Sequence, residues 1–417
     1  MTGATHMQSV PQQYRRARWA VAALFWLNGA TMATMLPRYP LIRDNLGLSN
    51  TFFGLAIALG PFGGLITGFF TARMMRRFSS GTVAVWAQIA QILCSLVVLN
   101  APAPIWFAVG LFLMSATDVY TDIAMNAHGL RVQKHYPRSI NNTFHGFWSV
   151  GAFSGGLLGS LFAGIDLPLW QHSLVAAAIM LVVNIALRPF LLKGPDTEIT
   201  EETADDNPRS RSPIPRTLWP HLLALGLMGA FAAEIEDSGF NWAAIYLHDA
   251  LGAAPALAGM GLAALVGAQT IGRFTGDALT DRLGYRSTAR LGCGVATVAM
   301  LAALAFQSIP LTLLGFALAG WGVATVVPAV YVAGDNIPGL PHGAGLSVVN
   351  WLLRLSFIVF PPLVGRVGDL VGLRTALLLM PISTLMVVLF SGHLAGGRPR
   401  HEASREAVLA QASADRN

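Results

Sequence analysis

The chain has 417 residues, of which 54% are hydrophobic and only 12% charged, with a net charge of +6. Soluble domains carry about 25% charged residues, so a water-soluble globule of this size would lack polar surface; a bilayer around most of the chain removes that need. The cations stand in short clusters between apolar runs, a pattern that sets membrane orientation and gives no sign of nucleic-acid binding.

A spanning helix needs about 20 mostly apolar residues. Twelve runs meet that requirement: 18–36, 51–73, 82–99, 104–128, 143–163, 171–192, 218–247, 256–278, 287–306, 310–332, 343–367 and 372–394. The first follows a polar stretch, Met1 to Arg18, and shows no small-residue cleavage site, so it reads as a retained helix and not a signal peptide. Most connections are short and broken by proline or asparagine, as in Asn100-Ala-Pro-Ala-Pro104 and Ser308-Ile-Pro310. The 43 glycines suit helices packed closely in a membrane. Cys94 and Cys293 lie within apolar runs, and neither a disulfide framework, a metal site nor a cofactor is indicated.

One connection is different. Residues 193–217 are polar, rich in proline and of mixed charge, which marks a solvated linker. The chain therefore divides into a cytoplasmic N-terminus (1–17), a six-helix bundle (18–192), the linker, a second six-helix bundle (218–394) and a polar tail (395–417). The basic residues are distributed unevenly. Arg15, Arg16, Arg18, Arg73, Arg76, Arg77, Arg131, Lys134, Arg138, Lys193, Arg209, Arg211, Arg216, Arg282, Arg286, Arg290, Arg398, Arg400, Arg405 and Arg416 fall on one side. Only Arg38, Arg43, Arg366 and Arg374 fall on the other. This bias predicts a multi-pass protein of the cytoplasmic (inner) membrane with both termini cytoplasmic.

The two halves repeat a motif. The second span ends in Gly68-Phe-Phe-Thr-Ala72-Arg73-Met-Met-Arg76-Arg77, and the eighth in Asp277-Ala-Leu-Thr-Asp281-Arg282-Leu-Gly284-Tyr-Arg286. Both resemble the Gly-x-Leu-x-Asp-Arg-x-Gly-Arg-Arg signature of the major facilitator superfamily. The second copy keeps the Asp-Arg-x-Gly core, whereas the first has Ala72 for Asp and Met75 for Gly. The resemblance implies an all-α fold of twelve transmembrane helices in two pseudo-symmetric six-helix bundles. It also implies a cytoplasmic gate at Arg73, Arg76, Arg77, Asp277, Asp281, Arg282 and Arg286. The plainer alternative is that these arginines only fix orientation. Three further stretches resemble the MosC-like branch of that superfamily, near the fucose-permease group: Asp122-Ile-Ala-Met-Asn126-Ala-His128-Gly, Asn142-Thr-Phe-His145-Gly-Phe-Trp148-Ser-Val-Gly151, and Glu236-Asp-Ser-Gly-Phe-Asn241-Trp242. That branch often has Asp where this chain has Asn241. The likeness implies a small polar solute, sugar-like or inositol-like.

Ionisable groups inside apolar spans are costly and so are candidates for function. Asp118 and Asp122 stand one turn apart on the fourth span, and Asn126 continues their face. Two carboxylates this close repel when both are charged, and a pair that retains a proton is what a proton-coupled carrier requires. The alternative is a structural pair bonded to neighbouring helices. The seventh span carries Glu234, Glu236 and Asp237. Glu234 and Asp237 share a face with Asn241, while Glu236 lies about 100° from Asp237 and needs another partner or an aqueous opening. Glu236 is the favoured proton site of the three because it matches the branch pattern.

Arg354 lies near the middle of the eleventh span, as a substrate ligand or as the permanent partner of a buried acid. Aligning Gly159 with Gly365 sets Trp148 opposite Arg354. A ring face and a donor at matching positions would suit a sugar-like ligand. His145 is a proton-relay candidate or a satisfied gate histidine. Asn28 and Thr31 form a polar patch on the first span. Trp242 and Tyr246 are either ligand contacts or interfacial anchors.

No phosphate-binding Gly-x-x-x-x-Gly-Lys loop, nucleophile elbow or metal-binding helix motif occurs, which speaks against an ATP-driven pump and against an enzyme. The fifth span also lacks the Gly-Pro signature of drug/proton antiporters. These observations converge on a secondary transporter, read as a monomer and a proton symporter of a small polar organic solute. The alternatives are a proton-driven exporter of a metabolite or drug-like compound and a non-transporting receptor on the same scaffold.

Overall fold

The computed structural model describes residues 10–136, 140–194, 214–338, 340 and 344–394, with the side chains of Phe69, Ala72, Asn142 and Asp277 outside that description. Most of the linker, the tail, Arg138, Arg209, Arg211, Arg398, Arg400, Arg405, Arg416 and the expected gate carboxylate of Asp277 therefore lie outside the described residues. The described chain is helical, and 12 of its segments are long and apolar enough to cross a membrane. The all-α, twelve-span expectation holds.

In chain order the helices are α1 (Gln12–Ala33), α2 (Tyr39–Asn45), α3 (Asn50–Phe78), α4 (Ser80–Leu99), α5 (Pro104–Gln133), α6 (Asn141–Gly164), α7 (Leu169–Leu187) and α8 (Trp219–Asp249). There follow α9 (Pro255–Leu283), α10 (Tyr285–Phe306), α11 (Ile309–Val323), α12 (Val326–Asp335), α13 (Ala344–Val371), α14 (Leu373–Ala376) and α15 (Leu379–Phe390). Many large apolar side chains face outward, among them Trp86, Val182, Phe274, Val298 and Phe306, as a lipid-facing surface requires.

Three spans are not the single helices expected. The first continues past Ala33 through a short 3-10 turn into α2. The tenth breaks between α11 and α12, and the twelfth between α14 and α15. Proline explains the latter two. Pro328 and Pro381 lack the N–H that would bond the carbonyl four residues back, and their rings crowd it. Those carbonyls belong to Ala324 and Leu377, the places where the helices break.

The chain forms two compact units that cut across the sequence halves. The first unit holds 1–211, 238–267 and 358–376; the second holds 212–237, 268–357 and 377–417. In the first unit, α1 and α6 pack through a stripe of glycines. A Cβ on Gly155 would stand 2.6 Å from the Ala30 carbonyl oxygen, and Gly151 and Gly159 meet the backbone of Trp26 and Thr34 as closely. Small residues one turn apart let two helix backbones touch, and that contact sets the height of Asn28 relative to Trp148. We expect Gly155→Val to cost about 1–3 kcal/mol through overpacking, read as a clear fall in the melting temperature of purified protein. An unchanged melting temperature would contradict the tight contact.

The same unit gathers the Asn50 end of α3 and parts of α8, α9 and α13. Gly365 of α13 packs on the Asn50 carbonyl, Gly54 of α3 on that of Pro361, and Gly259 of α9 on the Ser160 side chain. Gly159 and Gly365, aligned on sequence, thus both serve as points of close approach. In the second unit, α10 and α11 touch at Gly292 and Gly322, where an added Cβ on Gly292 would lie 2.6 Å from the Gly322 oxygen.

Candidate functional site

A ring of hydrogen bonds joins four helices inside the first unit. Trp148 on α6 donates from Nε1 to Asn28 Oδ1 at 2.9 Å. Asn28 on α1 donates from Nδ2 to Asp118 Oδ1 at 2.8 Å and to Gln91 Oε1 at 3.1 Å. Gln91 on α4 donates from Nε2 to the same Asp118 Oδ1 at 2.8 Å. The indole N–H can only donate, so it fixes which end of the Asn28 amide is oxygen. That choice turns both amides toward Asp118 on α5. Oδ1 accepts two bonds, while Oδ2 has no hydrogen bond among the described residues. The network leaves one carboxylate oxygen for a proton or a ligand donor.

Asn28 is buried and Trp148 half-buried. The indole lies nearly parallel to the Phe240 ring of α8, with centroids 6.5 Å apart and planes at 19°. An aromatic face thus borders the hydrogen-bonded ring around Asp118, a pairing suited to a ligand with one apolar face and several hydroxyls. One turn along α1, the Thr31 hydroxyl donates to the Leu27 carbonyl and accepts from Gln88 Nε2 at 3.0 Å.

The structure therefore brings together Asn28, Asp118 and Trp148, with Thr31 adjacent. Asp122 is exposed and accepts from Asn126 Nδ2 at 3.0 Å, a contact within α5 as their spacing requires. Gln88 and Gln91 are additions. Glutamines three residues apart in an apolar span carry the same signal as Asn28 and Thr31, and reading only charged groups on spans three and four passes over it.

The acids of the seventh span separate. Glu234, Asp237 and Asn241 are buried, in a stretch of α8 where residues on every side are buried too. Glu236 finds its partner in Arg273 of α9, 3.8 Å away in the second unit. Arg354 is exposed and forms no ion pair among the described residues, so the permanent-partner alternative is not what the structure shows. His145 is exposed near the start of α6, its ring edge-on to Phe25 at 5.1 Å. Trp242 and Tyr246 are not interfacial anchors. Both are fully buried, and Trp242 meets Phe53 edge-on at 5.4 Å.

The expected gate residues Arg73, Arg76, Arg77, Asp281 and Arg282 are exposed and form no ion pairs among the described residues. Arg77 lies over the neighbouring Phe78 ring. Arg286 is committed elsewhere: its Nη2 donates to the carbonyls of Gly392 at 2.7 Å and Leu394 at 3.0 Å, just past α15. Carbonyls at a helix end lack partners within the helix, and a guanidinium supplies them.

Two residues read only as loop cations are buried. Arg38 donates to the carbonyls of Phe162 and Leu167 at 2.8 and 2.6 Å, closing the end of α6. Arg43 pairs with Asp44 at 2.7 Å and Asp249 at 2.6 Å.

The family description "Major Facilitator Superfamily" matches residues 21–268 and 226–414, almost the whole chain. The chain belongs to the Major Facilitator Superfamily. It is a multi-pass membrane transporter and not an enzyme. It is 28% identical over 377 residues to transporter y4wD of Sinorhizobium fredii, covering 89% of this chain and 96% of that one. It is 24% identical to the membrane protein MosC of Rhizobium meliloti, covering 90% and 91%. Among solved structures, a D-xylose-proton symporter superposes with a TM-score of 0.66 at 14% identity, covering 92% and 98%. A bacterial homologue of the lysosomal transporter Spinster, inward-facing and occupied, gives 0.68 at 16% identity, covering 92% and 96%. At such identities these two neighbours establish the fold.

Proposed function

We propose that this superfamily member is a secondary active transporter of the cytoplasmic membrane. It moves a small polar organic solute by alternating access, driven by proton symport through Asp118. The observation that carries this reading is the four-helix ring around Asp118, with one carboxylate oxygen open beside the Trp148–Phe240 face. Trp148 and Phe240 hold the apolar face of the solute, and Asp118 Oδ2 with its proton engages a hydroxyl. In the cycle, α8, α9 and α13 part from α3 and α6 at the Asn50 end, while Glu236–Arg273 supplies a second ionic contact in the other unit.

Purified protein in proteoliposomes, screened against sugars, polyols and other neutral polar solutes, tests the proposal. Accumulation should follow an imposed proton gradient and should alkalinise the donor side. Uptake indifferent to that gradient would sink the coupling. Trp148 offers a finer test. Trp148→Phe keeps a ring for stacking but removes one hydrogen bond, so KM should rise by roughly threefold to tenfold. Trp148→Ala removes the ring as well and should raise KM further. Equal KM values for the two variants would take the aromatic face out of the site.

A further inference from the structure

The final turns of α8, residues 238–249, lie in the first unit and are buried as far as Leu247. Trp242, Tyr246 and Asp249 follow one another at spacings of four and three, so they share one face of the helix. That face meets the opposing helices at both of its ends. Trp242 sets its ring edge-on to Phe53 of α3 at 5.4 Å, and Asp249 pairs with Arg43 of α2 at 2.6 Å. Tyr246 stands between them. Phe53 in turn stacks on Phe107 at 5.7 Å and meets Tyr39 edge-on at 5.1 Å, which makes the surroundings of Trp242 aromatic. The neighbouring face of α8 belongs to a different contact, where Ala243 and Leu247 pack on Gly261 of α9.

Trp242 Nε1 and Tyr246 Oη are buried in this packing, and neither has a hydrogen-bond partner among the described residues. Indole N–H and phenol O–H groups ordinarily find a partner when buried. A donor shut away without one costs free energy that a solvated donor does not. Phenylalanine at position 246 would fill the same space without that cost. The cost falls on the closed arrangement, because the face that carries both donors is the one that leaves α2 and α3 when the Asn50 end opens. Water in the open passage then satisfies them.

We propose that Trp242 and Tyr246 are gating residues that oppose closure of the Asn50 end. Closure leaves their N–H and O–H unpaired, and opening hydrates them. They act against the Arg43–Asp249 pair on the same face, which favours closure. The inference rests on the alternating access proposed above.

Ser160→Cys, in a chain without Cys94 and Cys293, reads the open fraction, since Ser160 is buried against Gly259 when this end is closed. Its labelling by a membrane-impermeant maleimide is followed in the full-length protein in proteoliposomes, with no solute added. Tyr246→Phe removes the hydroxyl alone. It should slow labelling roughly fivefold to thirtyfold and should not lower the melting temperature. The same factor should appear in an Asp369→Asn background, which keeps the effect measurable if the parent labels slowly. Trp242→Phe should slow labelling by a smaller factor, because the space left by the smaller ring offsets part of the gain; faster labelling takes Trp242 out of the pair. A hydroxyl that was bonded in the closed state would give the opposite sign, so unchanged or faster labelling in Tyr246→Phe overturns the proposal. Failure of alternating access has its own signature. A parent Ser160→Cys protein that resists the label until it unfolds shows that this end never opens, and both readings fall. Normal labelling of the parent without slowing in Tyr246→Phe removes only the role of the two donors.

Discussion

Asp118→Asn is expected to abolish proton-driven accumulation while leaving solute exchange in place. An Asn at this position keeps an acceptor oxygen where Oδ1 stands, so the Asn28 and Gln91 donors, now 2.8 Å from it, retain their partner. What disappears is the charge and the proton-binding oxygen at Oδ2. Counterflow exchange, which needs no net proton movement, should stay within roughly tenfold of wild type, the scale of one altered hydrogen bond to a charged group. Accumulation against a gradient should fall to equilibration. Asp118→Ala should behave differently, because it removes the acceptor that Asn28 and Gln91 share, leaves the buried Gln91 Nε2 without its partner and costs about 1–3 kcal/mol of stability. The comparison separates coupling from folding. Asp122→Asn should be milder, since Asp122 is exposed and its partner Asn126 sits on the same helix. Glu236→Gln tests the rival proton site and should disturb the Arg273 pair without removing proton dependence. An Asp118→Asn protein that still concentrates solute when a proton gradient is applied would rule Asp118 out as the coupling residue.

The fold is legible in the sequence because a membrane admits so few backbone solutions. Twelve apolar runs force twelve helices, and a polar group inside such a run is conspicuous. Asn28, Asp118 and Trp148 stand out for that reason. The breaks at Ala324 and Leu377 are also within reach, since Pro328 and Pro381 stand four residues on, but Pro61, Pro361 and Pro362 remain inside continuous helices. Proline therefore permits a break, and packing decides whether it happens. The aromatic pair is half visible: Trp148 carries a polar handle that marks it, but Phe240 looks like any apolar residue of its span. Arg38 and Arg43 mislead because a charge at a span's end is read as solvated, whereas here carbonyl and carboxylate partners far along the chain bury it. Asp369 leaves no trace, since its partners, two backbone N–H groups and the Thr51 hydroxyl, lie more than 300 residues away, and no local pattern encodes them.

Those partners give Asp369 its expected effect. Oδ1 accepts from the Asn50 N–H at 2.9 Å, and Oδ2 from the Thr51 N–H at 2.8 Å and the Thr51 hydroxyl at 2.5 Å. Ser49 Oγ takes the Phe52 N–H at 3.1 Å. The first three N–H groups of α3, which have no partner within their own helix, are thus all satisfied, two of them by a carboxylate from α13. A negative charge at the positive end of a helix adds to the bonds. Arg43 reinforces the same end by joining Asp249 of α8 and Asn50 of α3. Under alternating access these contacts must break whenever the Asn50 end opens, so they weigh the closed state against the open one. Asp369→Asn loses the charge and one acceptor oxygen. For a cap at this exposure we assign about 1–2 kcal/mol, roughly a fivefold to thirtyfold loss in the closed-to-open ratio. Ser160→Cys, in a background without Cys94 and Cys293, reports that ratio, because Ser160 is buried against Gly259 in the closed arrangement. Its labelling by a membrane-impermeant maleimide should speed up roughly fivefold to thirtyfold with Asp369→Asn, and Arg43→Gln should act in the same direction. A labelling rate unmoved by both Asp369→Asn and Asp369→Ala would mean that the cap belongs to the stability of α3 alone. A lowered melting temperature with no rise in the labelling rate would mean the same, because a contact that merely holds α3 together is lost on unfolding and not on opening.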